Sequence, residues 1–449
     1  MATLFHPRRP PGRRIPWVWP LLGLLFTLYL FFGRSDSTAS SSSSTSTNSS
    51  TRPDHAPHNA TAPCPSIPGM EDILVILKTG VTEARDKVPT HLQTTLRCVP
   101  HSVIFSDYAE EIDGVPVHDV LRDIPDPVKW MNEEFNVYQR VRQAGRAALT
   151  RADLNEDVNT VFGKPNNPGW KLDKWKFLPM IDEALKQPKK AKWYVFMEAD
   201  TYFVWPNLVA WLAQLDHRRP YYLGNQMQIL DVLFAHGGSG IVLSRPAMER
   251  AAATRRRDVA RWDSITRENW AGDCVLGQLL AESGVGLLWS WPALQIGPPS
   301  ELDYFSPDYY KTPWCYAPVT FHHLTLPDVI RLWRLDREWF GGGRELLLYR
   351  DVFLQVVQPQ LTGVRYDWDN RVAPQNSISS RSRSSVECRR KCLADPDCVQ
   401  YAQQADTCWV SATAKLGSAA TGISSGWIPE RIDALVQEMG SCPQALWVV

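Results

Sequence analysis

Short apolar runs recur along the chain, each closed by glycine or by acids, with amphipathic stretches between them. The run DILVILKTG at 72–80 is rich in Leu and β-branched residues and ends at Gly80, which predicts a buried parallel strand and places the start of folded structure near Glu71. A helix is expected over 88–96, and SVIFSD at 102–107 repeats the strand pattern. Helical periodicity over 128–146 and 174–185 precedes WYVFMEAD at 193–200, an apolar strand that ends in two carboxylates. Beyond it come a helix over 206–215 opened by proline, a glycine-rich turn HGGSG at 236–240, and a strand IVLS at 241–244. A helix from about 246 and another over 274–282, just after Asp273, complete the pattern. Strands alternating with helices predict an α/β open sheet, with the site at the C-terminal ends of the strands.

Three stretches depart from that alternation. Residues 15–33 carry no charge, about the length a helix needs to cross a bilayer, and Arg8, Arg9, Arg13 and Arg14 precede them. The positive-inside bias puts 1–14 in the cytosol and the rest in the lumen. A cleaved signal peptide fits less well, because the run exceeds a usual apolar core and no clean small-x-small site follows. Residues 34–68 are dominated by Ser and Thr, the composition of a stem, and hold the sequons at Asn48 and Asn59. The chain turns polar again over 360–387, which marks a boundary between a large domain at 69–360 and a smaller one at 361–449.

The 48 basic and 48 acidic residues cancel, which argues against a nucleic-acid partner. Cysteine usage adds a compartment. Five of the nine cysteines (Cys388, Cys392, Cys398, Cys408 and Cys442) fall in the last domain, which suggests disulfides and agrees with a lumenal location, and the odd count leaves a thiol unpaired within the chain. The 19 tryptophans are mostly core material, and some are available to line a cleft.

The first candidate for chemistry is Glu198-Ala199-Asp200. Two carboxylates at a strand end can reach one point as the chain leaves the sheet, which is what a hard divalent cation bridging a diphosphate requires. Alone, such a triplet is weak. In context, KWYVFMEADTYFVWPNLVAWLAQLD resembles the core of the Fringe and core-1 β1,3-galactosyltransferase group, in which a strand leads into a DxD-type motif. Five other blocks fall in the same order: ILVILKTG…TTLRC…VIFSD, GWKLDKWKF, GGSGIVLSRPAM, GDCVLGQLLAESGV and VTFHHL. The resemblance spans roughly residues 70–340.

It implies a GT-A type nucleotide-sugar-binding fold, inverting transfer from a UDP-sugar, and manganese. By position, Asp200 is the metal ligand, Glu198 stands where the family has Asp, and His322 matches the later ligand histidine, with His323 beside it as the alternative. Mn²⁺ accepts carboxylate and imidazole together and neutralises a leaving diphosphate. Asp273 occupies the place of the family's catalytic aspartate, the base that takes the acceptor's proton, although Gly272 stands where the preceding acid would be. The alternative for Asp273 is a helix N-cap. Lys78, Thr79, Ser106 and Asp107 end strands expected to face the donor, and Gly237 and Gly238 allow close backbone approach. Lys174 is placed to meet phosphate or is a solvated helix lysine. The spacing from Cys388 to Cys408 resembles a PAN/apple-type module, and Cys388 and Cys392 share one helix face from which each can bridge to packed strands. The expectation is a type II Golgi membrane enzyme that transfers a hexose, galactose in β1,3 linkage first, to a glycan or glycoprotein acceptor. N-acetylglucosaminyl, glucosyl or glucuronosyl transfer fits the same scaffold, and a silent lumenal glycan-binding protein is the alternative.

Overall fold

The expected buried strand is present and central. It is strand β1, Ile73–Lys78, and all its residues are buried. In the computed structural model, which describes residues 64–154, 166–372 and 378–448, it is followed by β2 (Ser102–Ser106), β3 (Glu110–Ile112), β4 (Val115–Asp119), β5 (Trp193–Glu198) and β6 (Tyr202–Phe203). Then come β7 (Tyr222–Gly224), β8 (Gln226–Ile229), β9 (Val232–Ala235), β10 (Ile241–Ser244), β11 (Leu287–Trp289) and β12 (Thr320–Phe321). The expected cytosolic tail, the 15–33 span and both sequons lie outside the described residues. Among the described residues no helix is long and apolar enough to cross a membrane.

One mixed sheet of eight strands, in the order β11-β7-β10-β5-β1-β2-β4-β3, organises the molecule. Strands β5, β1, β2 and β4 run parallel, whereas β10 is antiparallel to both its neighbours, β5 and β7. Side chains alternate across it. Leu74, Ile76, Tyr194 and Phe196 pack on one face against the helices Phe135–Ala144, Phe177–Lys186, Arg245–Arg257 and Gly272–Glu282. Ile73, Val75, Leu77, Val195 and Met197 pack on the other, against Ala84–Gln93 and Trp205–Leu212. A strand covered on both faces reads as a continuous apolar run, and for that reason β1 and β5 were legible.

Helix boundaries moved. The helix expected from 88 begins at Ala84, and the stretch 128–146 breaks into Asp126–Met131 and Phe135–Ala144 because Asn132 between them is extended. The polar segment after 360 is not structureless. It carries β13 (Val364–Asp369) and β14 (Ile378–Arg381), which join β15 (Gln400–Gln404), β16 (Thr407–Ser411) and β17 (Ser418–Trp427) in an antiparallel sheet of order β13-β17-β15-β16-β14. No residue of β13 is buried, half of them are exposed, and so no apolar period shows there.

Four disulfides form: Cys64–Cys98, Cys315–Cys442, Cys388–Cys408 and Cys392–Cys398, and the thiol left over is the buried Cys274. The helix Ser385–Ala394 presents Cys388 and Cys392 together, but only Cys388 reaches a strand, β16. The second sheet shares a core with the segment after the acidic turn, for Tyr202, Tyr304, Trp314 and Phe353 pack in one cluster with Leu416, Trp427 and Ile432. Cys315–Cys442 closes a loop of 127 residues across the same contact. In the chain-entropy view such a closure is worth roughly 5 kcal/mol.

Candidate metal and active site

The C-terminal ends of β1, β2 and β5 lie side by side, so Lys78, Thr79, Ser106, Asp107 and Glu198 converge there. A dense ionic cluster results. Lys78 is buried between Asp173 and Glu198, whose Oε1 lies 3.0 Å from its ammonium, and it stands 4.8 Å over the Phe177 ring. Lys176, also buried, donates to the Thr79 carbonyl at 2.7 Å and pairs with Asp173 at 2.7 Å and Asp107 at 3.5 Å. Asp107 in turn accepts from the Val81 amide at 2.6 Å and from Ser106 Oγ at 3.1 Å. Thr79 and Ser106 are fully buried, so they form the floor of this corner.

Lys174 goes elsewhere. Its ammonium pairs with Glu134 at 2.8 Å and donates to the Arg267 carbonyl at 3.1 Å, lining a cavity of about 660 Å³ with Trp170 and Trp270. The lysine that reaches the strand ends is Lys176, which sequence reasoning passed over. Its spacing of i, i+3 from Asp173 was the available signal.

Past Glu198 the chain turns, and Asp200 points to a second, different corner. His322 Nε2 lies 3.2 Å from Asp200 Oδ1, and Asp200, His322 and His323 can bring one ligand atom each within 4.8 Å of one another. Both histidines that competed for the role are therefore present. The turn is fixed from several sides: the Leu324 amide donates to the Asp200 carbonyl at 3.0 Å, Thr201 Oγ1 to the Gly238 carbonyl at 2.7 Å, and buried His91 bonds the Ala199 carbonyl at 2.9 Å. On His322 the Nδ1 proton goes to the Ile296 carbonyl at 3.0 Å, which leaves Nε2 as the lone-pair nitrogen facing Asp200. Two such acceptors close together are joined by a cation or by a proton. Burial disfavours the imidazolium of His322, yet the Asp200 charge outweighs it and its pKa lies above the usual value. Burial disfavours the Asp200 carboxylate as well, but His322 holds its pKa well below the carboxylate range. Burial, then repulsion from His322, lowers His323 to about 4 and His236 to about 3, so both are neutral imidazoles at neutral pH.

The turn 236–240 lies between the two corners, and its glycines are dictated by packing. A Cβ on Gly238 would sit 2.2 Å from the His322 ring, and one on Gly237 would sit 3.0 Å from Glu198 Oε1 and from Phe177. Gly240 holds φ +90°, a left-handed conformation that suits glycine. The Gly237 amide donates to Asp273 Oδ2 at 2.8 Å, which brings Asp273 to the same place. Asp273 is inside the first turn of its helix, where the cap position is Ala271, so the N-cap alternative does not describe it. Burial, helped by the charge of Glu198 and opposed by the Gly237 bond, pushes its pKa up to about 6. Gly272 could not have been a second acid, because a Cβ there would meet Lys174 Cα and carbonyl at 2.6 Å.

The arrangement thus offers a carboxylate and two imidazoles able to take a hard cation in place of the His322 proton, a second carboxylate whose pKa lies near 6, and buried lysines matched by carboxylates at the strand ends. Residues 175–290 match the Fringe-like family model. That Fringe-like segment contains Glu198, Asp200, the glycine turn and Asp273, whereas His322 and His323 lie beyond it. No curated protein matches the chain. Family match and donor set together support a transferase-type enzyme on an α/β fold with a disulfide-bearing C-terminal region.

Proposed function

We propose that this chain is an inverting, Mn²⁺-dependent glycosyltransferase that moves a hexose, galactose in β1,3 linkage first, from a UDP-sugar to a glycan acceptor. The observation that carries the reading is that one glycine turn touches both corners, with Gly238 against His322 and Gly237 bonded to Asp273. Asp200, His322 and His323 would hold the cation, and Glu198, tied to Lys78, would not. Bound there, the cation supplies neutralisation of the departing diphosphate. Asp273 takes the proton of the acceptor hydroxyl, whose oxygen attacks the anomeric carbon opposite the leaving UDP. With a pKa of about 6 it is mostly ionised at pH 7 yet basic enough to accept. Lys78 and Lys176 act by holding Glu198, Asp173 and Asp107 in place beneath the donor. In the cell we place the enzyme in the Golgi membrane, anchored by 15–33, with catalysis in 69–360 and the module 361–449 presenting acceptors.

The test is to give the purified protein a panel of UDP-sugars with Mn²⁺ and measure UDP release and sugar transfer. Metal-dependent turnover of one donor is expected. Tight UDP–Mn²⁺ or glycan binding with no turnover of any donor would favour a silent binding protein.

A further inference from the structure

One exposed turn is used by none of this chemistry. Asp308 and Lys311 exchange both backbone bonds, the amide of each donating to the carbonyl of the other at 3.0 and 2.9 Å, so Tyr309 and Tyr310 form a two-residue turn. Both tyrosines have positive φ, 45° and 63°. That is the arrangement of a type I′ turn, which favours Asn-Gly because a Cβ at positive φ crowds the backbone. Two ring-bearing residues are a poor choice for the turn itself. Nor are they there for burial, since Tyr309 is 61% and Tyr310 105% exposed.

The Tyr309 ring belongs to an array, and Tyr310 extends from the same turn into solvent. Tyr309 meets half-buried Trp289 edge-on at 4.6 Å and Trp291 at 6.0 Å, and the two indoles lie 6.3 Å apart at 28°. Lys311 fastens the turn by donating to the Trp291 carbonyl at 2.9 Å. The array also connects to the metal corner. Trp289 Nε1 donates to Asn225 Oδ1 at 3.2 Å, the Asn225 carbonyl accepts from the His236 amide at 2.8 Å, and the His236 ring lies 5.3 Å from that of His322.

We propose that Trp289, Trp291, Tyr309 and Tyr310 form a platform for the sugar rings of a neutral oligosaccharide acceptor, beyond the ring that receives the transferred sugar. A pyranose packs its C–H face on an aromatic ring and leaves its hydroxyls to water and to phenols at the rim. Charge argues against an anionic ligand. The platform's cation, Lys311, is committed to a carbonyl, and Asp308 adds a carboxylate to the same turn. The placement as an acceptor subsite rests on the transferase reading, whereas the binding itself does not.

The decisive variant is Tyr309→Asn combined with Tyr310→Gly, which gives the turn the residues it favours. Binding of mannotetraose, cellotetraose and β1,4-galactotetraose, followed by saturation-transfer NMR and titration, is expected for at least one probe in the wild type. The double variant should bind that probe at least tenfold more weakly while its thermal midpoint stays or rises, and Tyr310→Ala alone should weaken it two- to threefold. Where transfer is measurable, KM for the oligosaccharide should rise and Mn²⁺-dependent UDP-sugar hydrolysis should stay unchanged. Loss of binding in a folded variant supports the platform even if no donor is ever turned over, which separates it from the transferase reading. The proposal is overturned if no probe binds the wild type, if the double variant binds equally well, if its midpoint falls along with binding, or if a proline-rich peptide competes at equal affinity.

Discussion

Glu198 and Asp200 are two residues apart on one turn and end in opposite surroundings. Glu198 faces an ammonium, Lys78, in a corner where Lys78 and Lys176 meet the carboxylates of Asp107, Asp173 and Glu198. Asp200 faces imidazoles. Burial alone would raise both carboxyl pKa values, and both are instead lowered, Glu198 by Lys78 and Asp200 by His322. An ammonium gives up strong hydration on burial and has only donors, so its pairing with a carboxylate is lost at a cost. An imidazole can give up its proton and offer a lone pair, so beside a carboxylate it is able to join a ligand set. The comparison teaches that an acid-x-acid motif need not be two ligands. Here Glu198 is paired with an ammonium, whereas Asp200 is turned toward the two histidines.

The division is most exposed to failure in the mutants with the largest expected effects. Asp273→Asn should lose turnover by about 10²–10⁴-fold, the worth of a positioned base, while calorimetry finds UDP–Mn²⁺ binding within about threefold of wild type. Near-normal transfer would remove Asp273 from the mechanism. Asp200→Asn should weaken Mn²⁺ affinity by about 10–100-fold or more, since an amide is a poorer ligand than a carboxylate. Glu198→Gln should leave Mn²⁺ affinity within about threefold. Equal losses in the two variants would mean that both acids are ligands after all.

Stability measurements sharpen the same contrast. Gly238→Ala would place a methyl into the His322 ring and should cost about 1–3 kcal/mol together with Mn²⁺ affinity. Lys78→Met leaves Glu198 and Asp173 facing no ammonium from that side chain. Both carboxylates keep some contact with water, so the loss in a urea titration should be roughly 1–3 kcal/mol, with Mn²⁺ affinity little changed. A Lys78→Met protein that folds normally but no longer binds Mn²⁺ would merge the two corners into one.

What could be read in advance followed from local pattern. Strands β1 and β5 are apolar on both faces, so runs of residues announced them, and the blocks that hold Asp200 and Asp273 fall inside the Fringe-like match, whereas that of His322 lies beyond it. The Lys174-for-Lys176 exchange was legible only through the spacing of Lys176 from Asp173, because Lys174 and Lys176 flank Trp175 in the turn between the helices Pro168–Asp173 and Phe177–Lys186, and packing decides which one turns inward. Gly272 shows the same limit. It stands where the resemblance places an acid, and the backbone of Lys174 leaves no room for a side chain there. Polar β13 and β14 escaped because edge and exposed strands carry no apolar period, and the shared core of Trp427 with Tyr202 depends on contacts more than two hundred residues apart.

The smallest predicted effect is the most specific to Asp273. Its folded pKa of about 6 lies above the ordinary aspartate value of 3.8, so the native state holds a proton more tightly than the unfolded chain does. The associated stability is fully present below the unfolded value and is lost as pH rises through about 6. Asp273→Asn removes this dependence while its amide oxygen still accepts from Gly237. Measured without metal, the stability difference between wild type and Asp273→Asn should therefore shift by about 1 kcal/mol between pH 5 and pH 7, the variant gaining relative to wild type at the higher pH. The charge of Glu198 helps to raise the Asp273 pKa, so Glu198→Gln should lower the pH at which the shift occurs. The same ionisation governs activity with the opposite sign, because the base must be unprotonated. Transfer should rise with pH through about 6 where metal-free stability falls, and a pH profile flat across that range would separate Asp273 from both effects.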